Sequence, residues 1–327
     1  MRMFYPEGAL LGRAENRAAM AGISALRDAM LKGTVLEARA VKCDREHDLH
    51  VSLGCMDGVI PREEGAIGIA EGDVRDIALI SRVGKPVQFT VTAIRRAEAG
   101  RYEARLSRRQ AQEKCVAEYL DTLSPGDVID AVISHMESFA AFCDVGAGVN
   151  ALLPIDSISV SRIPHPSARF FTGQQIKAVV RARDEKGRII LTHKELLGTW
   201  LENAARFQVG ETVPGIIRSV ENYGVFVELM PNLAGLAEYA DGYTVGSECA
   251  AYIKSMLPDR MKLKLIIVDA GDEKAPGMPM EYFFHGSHMD RFAYSPPGCG
   301  KVIETMFDQS GDKNQFGVRS SEFGVQE

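Results

Sequence analysis

Three stretches of the chain open alike: KGTVLEARAV from residue 32, PGDVIDAVIS from 125 and VGETVPGIIR from 209. Their glycines, Gly33, Gly126 and Gly210, stand 93 and 84 residues apart. A second glycine opening follows inside each unit, as VGKPVQFTVT from 83, TGQQIKAVVR from 172 and VGSECAAYIK from 245. Each unit then closes on another alternating run, RYEARLSRR, GRIILTHKE or MKLKLIIVD. Between these lie LHVSLG, AFCDVG and VFVELM, followed by DGVIPREEG, NALLPIDSI and AGLAEYAD. Apolar residues alternating with period two mark half-buried strands, and a repeat of this length must be searched for before any other reading. Five short strands with turn residues between them suit a small closed barrel. The expectation is a mainly β chain of three tandem five-stranded barrels, at residues 32–110, 125–197 and 209–268. RQAQEKCVAEYLDTL (109–123) and HKELLGTWLENAARF (193–207) have helical spacing and good helix formers, so short helices are predicted at the joints. Residues 14–31 are read as one helix of an N-terminal extension covering the first barrel. Residues 269–327 form a C-terminal extension whose last stretch, QSGDKNQFGVRSSEFGVQE, is expected to be disordered.

One stretch breaks the alternation. In SVENYGVFVEL, residues 219–229, Tyr223 and Phe226 are three apart, and a regular strand points such residues to opposite faces. Gly224 between them suggests a bulge that re-aims the neighbouring side chains, bringing the two rings coplanar onto one face. Rings on an open barrel surface are a platform on which flat ligands stack. The competing reading is a pair of core residues, as most aromatics are.

The five-strand pattern matches the OB-fold, which binds oligonucleotides across its second and third strands. The units resemble the S1 RNA-binding domain family, the OB-fold repeat of bacterial ribosomal protein S1. The resemblance spans about residues 32–268 and is strongest in GIIRSVENYGVFVEL. It implies an RNA face made of two aromatics, a histidine and an Asp–Arg pair. Tyr223 and Phe226 match the aromatics, Glu238 stands where a histidine is common, and Lys262 stands near the expected arginine. In the second unit Phe139 and Phe142 keep the spacing, with Ala140 for the glycine and Pro154 at the histidine position. RDEKGRIIL preserves Asp184 and Arg188. The first unit has no aromatics in the matching stretch, VKCDREHDLHVSLG, and is expected to dock on the small ribosomal subunit or another protein.

Single-stranded RNA offers splayed bases for rings and a phosphate trace for cations. The candidate cations are Arg181, Arg183, Lys186 and Arg188 in the second unit, and Arg218, Lys254, Lys262 and Lys264 in the third. The net charge of −6 is uneven: from residue 269 onward ten acidic and five basic residues give −5, leaving −1 for everything before. A near-neutral body predicts modest affinity per module, which linkage raises by effective concentration. The insertion VSRIPHPSARFFTG (160–173) either lengthens the RNA groove or packs as a loop.

Other chemistry finds little support. SPPGCGKV (295–302) imitates a phosphate loop, but Ser295 replaces its first glycine and Val302 its metal-binding hydroxyl. HGSHMD (285–290) with Cys299 lacks a fourth ligand, so no metal or other cofactor is expected. The six cysteines include no Cys-x-x-Cys pair, no apolar run reaches membrane-span length, and the start lacks a secretory layout. The expectation is a cytoplasmic, non-enzymatic protein of the translation apparatus that binds single-stranded RNA such as mRNA. The alternatives are a protein-interaction scaffold with degenerate barrels, or an accessory factor in RNA decay or transcription.

Overall fold

Every stretch of period-two alternation becomes a strand, and the strands close in fives. The computed structural model describes residues 4–96, 101–275 and 277–307. Barrel 1 comprises β1 (Leu36–Cys43), β2 (Leu49–Ser52), β3 (Asp57–Ile60), β4 (Pro86–Arg96) and β5 (Tyr102–Ser107). Barrel 2 comprises β6 (Val128–Glu137), β7 (Ala140–Gly146), β8 (Val149–Pro154), β9 (Gln175–Arg183) and β10 (Ile189–Thr192). Barrel 3 comprises β11 (Thr212–Glu221), β12 (Gly224–Met230), β13 (Leu233–Ala237), β14 (Ser247–Leu257) and β15 (Lys262–Lys274). All three are closed in the strand order of an OB-fold, 1-2-3-5-4, and the third and fifth strands pair in parallel.

The repeated glycines have a common physical cause. Gly33, Gly84, Gly126, Gly173, Gly210 and Gly246 all take positive φ, where a side chain would be strained. The N–H of Gly84, Gly173 and Gly246 each donates 2.7 Å to the carbonyl of Ala40, Ile133 and Ile217, the same point of the first strand in each barrel. The sequence repeat is thus a repeated turn and a repeated hydrogen bond.

The chain folds as two compact units. One takes the described residues up to Leu123 and Cys143–Asn150; the other takes the rest. In the first unit the expected helix over 14–31 is two, α1 (Ala14–Ala19) and α2 (Ile23–Lys32), separated by an extended Gly22. Leu26 and Ala29 of α2 join Leu36, Leu49, Ile60, Phe89 and Leu106 in the barrel 1 core. Burying a Leu or Phe completely is worth roughly 1.5–3 kcal/mol, so this apolar contact accounts for the helix covering the barrel. The segment before α1 is pinned by charge. Burial alone would raise the Glu7 carboxyl, but Arg108 (2.7 Å) and Arg82 (2.9 Å) hold it below the usual range. The Glu7 N–H donates to Asp144 at 2.7 Å.

The second unit contains α3 (Trp200–Ala204), started by a capping box in which Thr199 and Glu202 exchange bonds. Trp200 enters a core shared with Val227, Ile253 and Leu265 of barrel 3 and with Met289, Phe292, Tyr294 and Phe307. Those last four belong to a stretch beyond the repeats that contains a small hairpin of β16 (Arg291–Ala293) and β17 (Glu304–Met306). It is tied to the barrels at several points. Val128 N–H donates to Ser287 and Met289 N–H to Gly126; Trp200 N–H donates to Tyr294, whose hydroxyl donates to the Asn232 carbonyl. The described part of the C-terminal extension is therefore a strap across this unit. The expected disorder at 309–327 falls outside the described residues. Among the described residues no cluster of three His, Cys, Asp or Glu groups could hold a metal ion, and His288 is engaged by Asp127 (2.7 Å) and Asp290 (3.3 Å). Nor is any described helix long and apolar enough to cross a membrane.

His193 at the end of barrel 2 supplies a pH prediction. It is fully buried, edge-on to Phe170 and Tyr282, with Nδ1 3.3 Å from the Ile158 carbonyl. Burial pushes its pKa down to about 4. A histidine whose folded pKa is depressed gives stability that is complete above its unfolded value and is lost as pH falls. The second unit should therefore lose roughly 3 kcal/mol between about pH 6.5 and 4, a drop seen as a falling urea midpoint. His193→Gln should flatten that slope, and an unchanged slope would contradict the assignment.

Candidate nucleic-acid interface

Tyr223 and Phe226 do share an outer face of barrel 3, for a different reason from the one expected. Glu221 pairs with Gly224, Val220 with Val225 and Ser219 with Phe226, so β12 has no bulge at Gly224. Tyr223 is instead the second residue of the two-residue turn between β11 and β12, where the pleat no longer dictates its direction. The irregularity lies on β11, where Arg218 is the extra residue between Ile217 and Ser219. Nor are the rings coplanar: their centroids are 6.2 Å apart with planes at 86°, edge to face. Tyr223 is 66% exposed and Phe226 half-buried, so the pair is not a core contact.

Gly224 serves close approach. A Cβ there would lie 2.6 Å from the Ala237 carbonyl oxygen and 2.8 Å from Leu236 Cδ1, with φ at +153°. Gly224→Ala should cost about 1–3 kcal/mol of stability and loosen the Tyr223 turn, measurable by thermal unfolding and by the tyrosine's fluorescence anisotropy. An unchanged melting temperature would refute the close-approach account.

Barrel 2 repeats the geometry without the glycine. Phe139 is again the second turn residue and Phe142 the third strand residue, with centroids 6.2 Å apart at 88°. Phe139 is 58% exposed. A third ring joins them: His135 on β6 lies 5.9 Å from Phe142 at 28°, nearly parallel, and its Nε2 meets Glu137. Sequence reasoning missed His135. The signal was the cross-strand position, since the corresponding residue of barrel 3, Ser219, stands directly opposite Phe226.

The register also sorts the cations. Phe226 pairs with Leu236, and Leu236 with Lys264, so Lys264 completes an outward row across three strands. Lys262 is two residues earlier on the same face of β15, and both lysines are exposed. Lys254 is the bulge residue of β14, between Ile253 and Ser255, with a loose 3.8 Å contact to Glu238 that contributes little between exposed groups. In barrel 2 Leu152 pairs with Ile190, which fills the place of Lys264, and Arg188 that of Lys262. Arg183 is exposed, donating 3.2 Å to the Gly187 carbonyl. Asp184 and Arg188 meet at 2.6 Å across the β9–β10 turn. Burial would raise the Asp184 carboxyl, but bonds from Arg188 and the Lys186 N–H hold it below the usual range. Arg188 stays 68% exposed, so this pair stiffens the turn while leaving the guanidinium open.

Arg218 needs a correction. Expected as a phosphate contact, it is 9% exposed and its Nε donates 2.6 Å to Glu228, which is fully buried. Arg169, from the insertion at 160–173, binds the other oxygen of the same carboxylate. An extra residue in a strand can turn its side chain sideways, and this one is turned beneath that loop. Arg169 and Phe170 are buried, so this part of the insertion packs; Phe171 stays exposed.

These faces are rings on the outside of OB-fold barrels. A model of the S1 RNA binding domain matches residues 122–194. Small ribosomal subunit protein bS1 of Leuconostoc lactis is 31% identical over 211 residues, 63% of this chain and 47% of that protein. The bS1 of Rhizobium meliloti strain 1021 is 32% identical over 142 residues, 42% of this chain and 25% of that protein. Among solved structures, a multidomain protein with nucleic acid binding domains from Streptococcus pneumoniae overlaps 72% of this chain and 73% of its own at 13% identity, with a TM-score of 0.24. The chain is thus built of three OB-fold barrels, and the stretch 122–194 matches the S1 RNA binding domain. The particular protein it resembles is bacterial ribosomal protein bS1, and it spans less than half the length of the relatives it matches.

Proposed function

We propose that the chain is a non-enzymatic, cytoplasmic RNA-binding protein of the translation apparatus that holds single-stranded RNA, mRNA included, on barrels 2 and 3. The observation that supports this reading most is the duplicated ring pair. Two barrels differing at most positions present aromatics at the same separation and angle, 6.2 Å and 88° against 86°, with the turn ring exposed in each. A core role would not require either ring to face solvent. Bases stack on such rings with little sequence preference, while Arg183, Arg188, Lys254, Lys262 and Lys264 attract the phosphates. Docking of barrel 1 on the small ribosomal subunit belongs to the same reading.

The test is a fluorescence-anisotropy titration of a labelled oligoribonucleotide, with a duplex of equal length as control. The single strand should bind and the duplex should not, with a shallow salt dependence because few cations face the rings. No binding at low salt would leave the barrels as a protein-interaction scaffold.

A further inference from the structure

Barrel 1 has no aromatic pair, but its strand register shows what stands in that place. On β1 and β2, Ala40 pairs with Val51 and Lys42 with His50, with one extra residue between. Barrel 3 makes the same step, pairing Ile217 with Val227 and Ser219 with Phe226. His50 therefore holds the position of Phe226, and His47, three residues earlier in the hairpin loop, that of Tyr223. The row continues from His50 through Val59 to Arg105, as Phe226 continues through Leu236 to Lys264.

Both imidazoles reach solvent, at 35% and 33% exposure, and each is oriented by a carboxylate. His50 Nε2 is 2.8 Å from Asp44; His47 Nδ1 is 3.2 Å from Asp76, which also takes Arg62 Nε at 2.7 Å. Asp48 accepts the Arg62 backbone N–H at 2.7 Å. The charges around the pair are Lys42 on β1 and Arg105 on β5, Arg62 and Asp76 from the segment after β3, and Asp44, Arg45, Glu46 and Asp48 from the hairpin. Four positive and four negative groups cancel, so with neutral imidazoles the patch has no field to draw a polyanion. Protonating both histidines leaves it at +2. Histidine rings stack on bases as other aromatics do, and histidine is the side chain that changes charge near neutral pH.

Resting on the RNA-binding reading above, we propose that barrel 1 carries a third single-stranded RNA site, closed when His47 and His50 are neutral and opened by their protonation. No redox or covalent step is involved.

The test uses the full chain with Phe139→Ala, Phe142→Ala, Tyr223→Ala and Phe226→Ala, plus His135→Ala to remove the other exposed stacked imidazole. Titrated with labelled oligouridylate at low salt, it should bind about tenfold or more tighter at about pH 6 than at about pH 8. Adding His47→Ala and His50→Ala should abolish the difference, and His47→Tyr with His50→Phe should give binding of similar strength at both pH values. No acid-dependent binding, or a dependence that survives loss of both histidines, overturns the proposal and leaves this face to protein docking. If circular dichroism shows the five-residue variant unfolded, the two histidines are replaced in the otherwise intact chain and the acid-dependent increment must shrink. The reading for barrels 2 and 3 fails separately, by absence of RNA binding to the intact chain at about pH 8.

Discussion

Replacing Tyr223 and Phe226 together with alanine weakens binding of single-stranded RNA by about thirtyfold or more, because each stacked base is worth roughly 1–3 kcal/mol. The barrel stays folded. Tyr223 is in a turn and mostly in solvent, and Phe226 is only half-buried, so little core contact is lost. The corresponding pair in barrel 2, Phe139→Ala with Phe142→Ala, has a similar effect. Losing both pairs costs more than either alone, since two linked modules bind with raised effective concentration. His135→Ala adds a smaller loss, because that ring extends the barrel 2 platform without forming its edge-to-face pair. Anisotropy titrations of the four variants beside the parent check this, with circular dichroism confirming the fold. Unchanged affinity in the barrel 3 variant would mean that its rings do not hold bases.

Glu228→Ala gives the largest stability loss, about 3–5 kcal/mol, because it strands two buried guanidiniums without their counter-charge. Glu228 is fully buried, and Arg169 and Arg218 bind its two oxygens. Removing one arginine is milder. Arg169→Met still leaves Arg218 and Glu228 as a neutral pair, and its apolar chain fills part of the space. The expected order in urea denaturation is therefore parent, then Arg169→Met, then Glu228→Ala far below. Equal losses for the two variants would show that loop packing, not charge balance, controls this site. Glu228 and Phe226 also share one face of β12, so the triad stiffens the strand that carries the ring.

The fold was legible because its main signal is local. Alternation and strand-opening glycines are properties of neighbouring residues, and Gly33, Gly126 and Gly210 need positive φ wherever the barrels sit. The ring pairs were legible by their spacing of three. The cause was not: whether Tyr223 ends a strand or begins a turn is a difference of one residue, and a glycine beside it fits both. Arg218 was misread because its surroundings come from Arg169, 49 positions earlier in the sequence, which no local pattern reveals. His47 and His50 were invisible as partners of the aromatics until the pairing of β1 with β2 aligned them. The break between α1 and α2 turns on Gly22, which a helix pattern tolerates on paper.

The strap over the second unit bears on how such a chain can be made. Met289, Phe292, Tyr294 and Phe307 lie in the same core as Val227, Ile253 and Leu265, all of which leave the synthesising ribosome earlier. A nascent chain that has emerged only to the end of β15 carries a finished set of strands with an uncovered greasy flank. Its last barrel matures late, and a fragment trimmed to the repeat boundary would be sticky rather than a faithful miniature.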